Sequence, residues 1–271
     1  HGKKTDADKE ARLKLLAQGG YDPVIAVGFL YGTALKKVAA QFPKTHFAVI
    51  DSVVLKDDNK TPVDNVTGLT FAEQEGSYLV GVAAALKSKA GSVGYIGGCD
   101  IALLHKFDAG FQAGAKSVKP DIKIQAKYLS LPPDCKGFND PAAGKETATG
   151  MYDSGADIVF AAAGGSGTGV FQAAAAKKTL AIGVDSDQYL TAAADLKPVI
   201  MTSMLKRVDN AVYDYIKAAQ SGTPLTGIQV FDLKKDGVGY ATSGGQVDDI
   251  KAQLDAAKAK IVDGTVKVPD K

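Results

Sequence analysis

The sequence predicts an α/β protein of doubly wound parallel sheets arranged in two lobes. Three observations predict it. Short apolar runs rich in Val, Ile and Ala, bounded by Gly, Pro and Asp, alternate with helical patterns along the chain; strands joined by crossover helices leave that pattern. Nine such runs are present, too many for one modest lobe. Finally, glycines, carboxylates, an aromatic and a lysine collect just past the ends of these runs, and open α/β sheets bind ligands outside the carboxyl ends of their strands.

The chain opens HGKKTDADKEARLKLLAQGGYDP, a polar stretch and then a helix. Doubly wound lobes normally begin with a central strand, so this reads as a truncated start, with any secretion signal or lipid-attachment cysteine upstream. Strands are expected at 23–28, 46–51, 67–71, 92–97, 122–129, 157–163, 179–184, 198–203 and 228–233. The bodies of these strands are plain Val, Ile and Ala. Helices are expected at 31–41, 75–88, 103–117, 144–154, 170–177 and 207–221, with 246–262 closing the chain. Before the helix at 144–154, Asp140 and Pro141 supply a cap and a first helical position. The expected lobes are 1–88 with 190–225, and 89–189 with 226–271.

Composition excludes several functions. No run approaches 18 apolar residues, the length a membrane-spanning helix needs. Lys+Arg 32 against Asp+Glu 30 leaves a formal charge of +2, and Arg12 and Arg207 are the only arginines, poor equipment for reading base edges or clamping phosphate. Nucleic acid is therefore not an expected partner. His1, His46 and His105 are scattered and read as surface or packing residues; Cys99 and Cys135 form no metal pattern. No catalytic or metal-ligating constellation and no cofactor motif is present.

The stretch AAAGGSGTGVFQ, from residue 161, invites a phosphate-loop reading. Gly164 and Gly169 have the right spacing, but Val170 and Phe171 stand where Lys and Ser/Thr belong; the dinucleotide pattern also fails, at Val170. What remains is a strand, a tight turn and a helix N-terminus with free N–H groups, able to bind any acceptor.

With the strand ends laid out, the chain resembles the basic membrane protein family, the purine nucleoside receptor A-like nucleoside-binding lipoproteins of ABC importers. The resemblance rests on NVTGLTFAEQEGSYLVGVAA, GSVGYIGGCDIALLHKFDAGFQAGAK, GFNDPAAGKE, GADIVFAAAGGSGTGVFQAA, IGVDSDQ and TSMLKRVDNAVYDYI, in family order over nearly the whole chain. It implies a type I periplasmic-binding-protein fold: two α/β lobes joined by three crossovers around a ligand cleft. It also implies no enzymatic activity, an ABC permease as partner, a monomer outside the cytoplasm, and membrane contact only through an upstream lipid anchor. Carried over residue by residue, it puts a purine base on Phe138, with Asp51, Gly164, Gly165, Asp185 and Lys206 lining the rest of the site. Their chemistry agrees: an aromatic face stacks a planar base, carboxylates accept from ribose hydroxyls, and an ammonium donates. Two carboxylates against one lysine disfavour a phosphate.

Alternatives stay open. Phe138 could pin its loop to the core, and Lys206 could be a solvated lysine at a helix start. The resembled family also carries an upstream strand and helix with an Asp-x-Ser-Phe-Asn motif that is not among these 271 residues. The competing functions are a receptor for a sugar or other small polar ligand, a nucleoside-processing enzyme resting on DSDQ (185–188), and a regulator's sensor core. Cys99 and Cys135 follow the strands at 92–97 and 122–129, neighbours in a doubly wound sheet, so a disulfide is expected, with two buried free thiols as the alternative.

Overall fold

The computed structural model describes residues 5–271; His1 lies outside the described residues. The chain forms two compact units and passes between them three times, after Phe71, Arg207 and Phe231.

The first unit holds the chain up to Phe71 together with Val208–Phe231. Its sheet runs β1 (Val24–Val27), β2 (Phe47–Ile50), β3 (Val66–Phe71) and β9 (Ile228–Phe231), in that spatial order and all parallel. Helix α1 (Asp6–Gln18) is capped by Thr5, whose hydroxyl accepts from the Asp8 N–H at 3.3 Å. Leu13 and Ala17 of α1 join Leu35 and Val38 of α2 (Gly32–Ala39) in a core with Val24, Phe47, Val49 and Val66. Helix α8 (Val208–Gln220) is tied to this sheet by Tyr215, whose buried hydroxyl donates to the Phe47 carbonyl at 3.0 Å.

The second unit, Ala72–Arg207 with Asp232–Lys271, is built on six strands. Their order is β10 (Val238–Tyr240), β8 (Ile200–Lys206), β7 (Leu180–Asp185), β6 (Ile158–Ala162), β4 (Ser92–Gly97) and β5 (Lys123–Tyr128). All pairs are parallel except β10 with β8. Around them lie α3 (Glu73–Lys87), α4 (Ala102–Val118), α5 (Pro141–Asp153), α6 (Gly167–Lys177), the single turn α7 (Gln188–Thr191) and α9 (Lys251–Val262). Asp140 caps α5, accepting from the Ala143 N–H at 3.0 Å, with Pro141 at the first helical position. Helices α3 and α4 meet backbone to backbone: a Cβ at Gly110 or Gly114 would overlap the carbonyl of Gln74 or Tyr78.

Three expected lobe assignments are corrected. Residues 73–87 go with the second unit, because the small side of α3 packs on α4, Met204 and Val238; a Cβ at Gly76 would stand 2.6 Å from the Met204 methyl. Strand β8 also belongs there, pairing with β7 along Ile182–Asp185, and β9 belongs to the first unit, pairing with β3. A helical or apolar pattern reveals an element but not which sheet it joins.

Candidate functional site

The carboxyl edge of the second sheet gathers most of the residues singled out in the sequence. Along neighbouring strands it presents Lys206 at the end of β8, Asp185 at the end of β7, Gly164 and Gly165 after β6, and the turn at Gly98 and Cys99 after β4. Asp51 is the residue after β2, at the carboxyl edge of the first unit's own sheet, where its N–H donates to the Leu69 carbonyl at 3.0 Å.

Two of these aspartates share an uncommon backbone. Asp51 has φ +64° and Asp185 φ +66°, the left-handed region that costs a non-glycine residue energy and that Asp tolerates better than most. Each stands at the carboxyl end of its strand, Asp51 directly after β2 and Asp185 as the last residue of β7. Such conformations concentrate at functional sites.

Lys206 is not a solvated lysine at a helix start. It is the last residue of β8, 8% exposed, with its Nζ 3.3 Å from Asp185 Oδ1 and 5.8 Å from the centroid of the Phe107 ring. Asp185 remains half exposed on the other side of that pair. Below them Gln188 pins the turn: its side-chain carbonyl accepts from Val184 N–H at 2.8 Å, and its own N–H donates to Ser203 Oγ at 3.1 Å. Two residues after Asp185, the Oδ1 of Asp187 is buried with no hydrogen-bond partner.

Phe138 is half-buried in a short 3-10 turn, Lys136–Asn139, directly before α5. Gly98 and Gly164 make room for it. A Cβ at Gly98 would overlap the Phe138 ring, and one at Gly164, where φ is +54°, would come within 3.0 Å of the Phe138 carbonyl oxygen. Buried Ser166 of the glycine turn holds both flanks, donating to the Gly137 carbonyl and accepting from the Asp140 N–H, each at 2.7 Å. A disulfide joins Cys99 to Cys135, with Cα atoms 5.1 Å apart.

Asp185, Lys206, Phe138 and the glycine pair, expected from the sequence, share this edge; Ser166, Gly98 and Phe107 were not among the residues expected there. Ser166 and Gly98 stood in view as GGSG and GGC; only packing shows what they support. His46 and His105 lie partly exposed, 3.1 Å and 2.6 Å from the carboxylates of Asp22 and Asp100. Among the described residues no group of three His, Cys, Asp or Glu side chains is placed to hold a metal ion, and no helix is long and apolar enough to cross a membrane.

Comparison with known proteins agrees with this architecture. The family model of PnrA-like ABC transporter substrate-binding proteins, Bmp, matches residues 1–271. The ABC transporter nucleoside-binding protein BmpA of Lactococcus lactis is 37% identical over 94% of this chain and 73% of its own length. The CD4+ T-cell-stimulating antigen of Listeria monocytogenes is 36% identical over 98% of this chain and 75% of its own. Among solved structures, an ABC transporter solute-binding protein from Aeropyrum pernix superposes with a TM-score of 0.80 at 28% identity, covering 99% of this chain and 83% of that one. The fold is the type I periplasmic-binding-protein fold, and the chain belongs to the Bmp family of ABC transporter substrate-binding proteins.

Proposed function

We propose that this protein is the extracytoplasmic receptor of an ABC importer for unphosphorylated nucleosides, purine nucleosides first among them. The observation that carries the reading is the pair at the end of β7 and β8. A left-handed, half-exposed Asp185 faces a buried Lys206 ammonium at 3.3 Å, on the edge that also presents Phe138 and the glycine turn. A carboxylate beside an ammonium offers the acceptor and donor that vicinal hydroxyls require, and Phe138 offers a face for a base, worth about 1–3 kcal/mol of stacking. Gly164 and Gly165 let main chain approach the ligand, and Asp51 is assigned as a further hydroxyl acceptor. Phosphate is disfavoured: Lys206 is already opposed by Asp185, and the glycine turn is followed by Val170 and Phe171.

The receptor acts as a monomer without turnover, hands its ligand to a permease, and is held at the cell membrane by lipid. The relative from Lactococcus lactis, named for nucleoside binding, supports the ligand class. Mass spectrometry of small molecules extracted from the purified protein tests the reading. An intact nucleoside is expected; a sugar or a nucleotide in stoichiometric amount would overturn it.

A further inference from the structure

The 131–136 segment leaves the sheet after β5 and returns at the turn that carries Phe138. Leu131, Pro132, Pro133 and Asp134 are exposed, and the two prolines have no N–H to donate. The hydrogen bonds and ion pair made by 131–136 stay within the segment and its adjoining turn: Cys135 N–H to the Leu131 carbonyl and Phe138 N–H to the Cys135 carbonyl, both 3.4 Å, and Lys136 with Asp134 at 3.3 Å. Before the segment, Ser130 donates to the Gly98 carbonyl at 2.7 Å; after it, Gly137 N–H donates back to Ser130 Oγ at 3.0 Å. Between those anchors the link to the sheet is covalent. Cys135, buried and in a left-handed conformation with φ +46°, is bonded to fully buried Cys99, the residue next to the Gly98 that underlies the Phe138 ring.

We propose that the Cys99–Cys135 disulfide is a positioning device for Phe138. It fixes the ring against Gly98 before ligand arrives, so binding need not order the 131–138 segment. Cys99 and Cys135 are then positioning residues, acting on the ligand through Phe138. The affinity part rests on the nucleoside reading above; the positioning part does not. Ordering that is complete before binding raises affinity by the ordering cost it removes, so losing the bridge should weaken nucleoside binding by about tenfold, the equivalent of one or two immobilised side chains.

The test compares wild type, the double variant C99A/C135A, F138A and the triple variant, titrated with adenosine, guanosine and inosine, alongside amide hydrogen exchange of each apo protein. The expected result is weaker binding by the double variant, with faster exchange at 135–139 and unchanged exchange in β4 and β6. In the F138A background, losing the bridge should cost no further affinity, which a merely structural role would not produce. Equal loss in both backgrounds, or unchanged affinity and exchange in the double variant, overturns the proposal. Should the double variant lack a cooperative melt, wild type reduced in denaturant and refolded with a dithiol present replaces it. There the dithiol supplies two electrons and leaves as its own disulfide, and both cysteines become thiols. A wild type that binds none of the three nucleosides refutes the ligand reading alone; exchange at 135–139 then decides the positioning, and unchanged exchange overturns it.

Discussion

Replacing Lys206 with Met removes one positive charge from the edge of the second sheet while keeping most of the side chain's packing near Phe107. The consequences for ligand and fold should separate. A hydrogen bond to a charged group is worth about 1.5–3 kcal/mol, so nucleoside affinity should fall by about 10- to 150-fold. Apo stability should hardly move. Breaking a buried ion pair is costly when it leaves a buried charge behind, but within the Lys206–Asp185 pair the carboxylate that stays is 52% exposed, whereas the ammonium side chain removed is 6% exposed. Water therefore takes over solvation of the carboxylate, and the melting temperature should stay within about 2–4 °C, the shift for 1 kcal/mol in a chain of this size. The reverse truncation, Asp185→Ala, takes a counter-charge from a buried ammonium and should lower the melting temperature more than Lys206→Met. Titration calorimetry with purine nucleosides and calorimetric melting of each apo variant read the two effects. Wild-type affinity in Lys206→Met, or a larger melting shift in Lys206→Met than in Asp185→Ala, refutes the reasoning.

Gly98→Ala should push Phe138 from its place, since the new methyl would overlap the ring; a nucleoside titration should show weaker binding with the sheet intact by circular dichroism. Gly110→Ala drives a methyl into the Gln74 carbonyl between α3 and α4, an overpacking that costs about 1–3 kcal/mol or more and should lower the melting temperature by several degrees. Burial raises the carboxyl of Glu75 above its usual range, against the lowering effect of the Leu233 N–H that donates to it at 2.9 Å. The folded state then holds the Glu75 proton more tightly than the unfolded state, so its contribution is fully present below the unfolded pKa and is lost as pH rises through the raised value. Glu75→Gln, which keeps an acceptor for Leu233, should be insensitive there. Urea midpoints from about pH 4 to about pH 7 should show the variant gaining on wild type as pH rises.

The sheets were legible for a physical reason. Strands buried on both faces read as unbroken apolar runs, and FAVI of β2 is buried at every position. The edge strand β10 was missed because its three residues, VGY, carry no period and lean on β8 for their pairing. Strand β8 starts later than Pro198 suggested, because Lys197–Val199 forms a 3-10 turn, and it runs on to Lys206. That shift decides the lysine's setting: a strand end buries it beside Asp185, where a helix start would have left it in water. Strand-end chemistry marked Asp51, Asp185 and the glycine turn, since ligand sites follow parallel strands. The support beneath Phe138 was not legible, because Ser166 and Gly98 act through contacts with residues distant in sequence.

The central claim is that the site takes a nucleoside and turns away its phosphate ester. Titration calorimetry of the purified, ligand-stripped protein with adenosine, guanosine and inosine, each beside its 5′-monophosphate, tests it most directly. Asp185 opposes Lys206, and Val170 rather than a lysine stands directly after Gly169. One-site binding of at least one purine nucleoside is therefore expected, with about tenfold or greater weakening for its monophosphate, the cost of a phosphate set against a carboxylate. Equal or tighter binding of the monophosphates would contradict it.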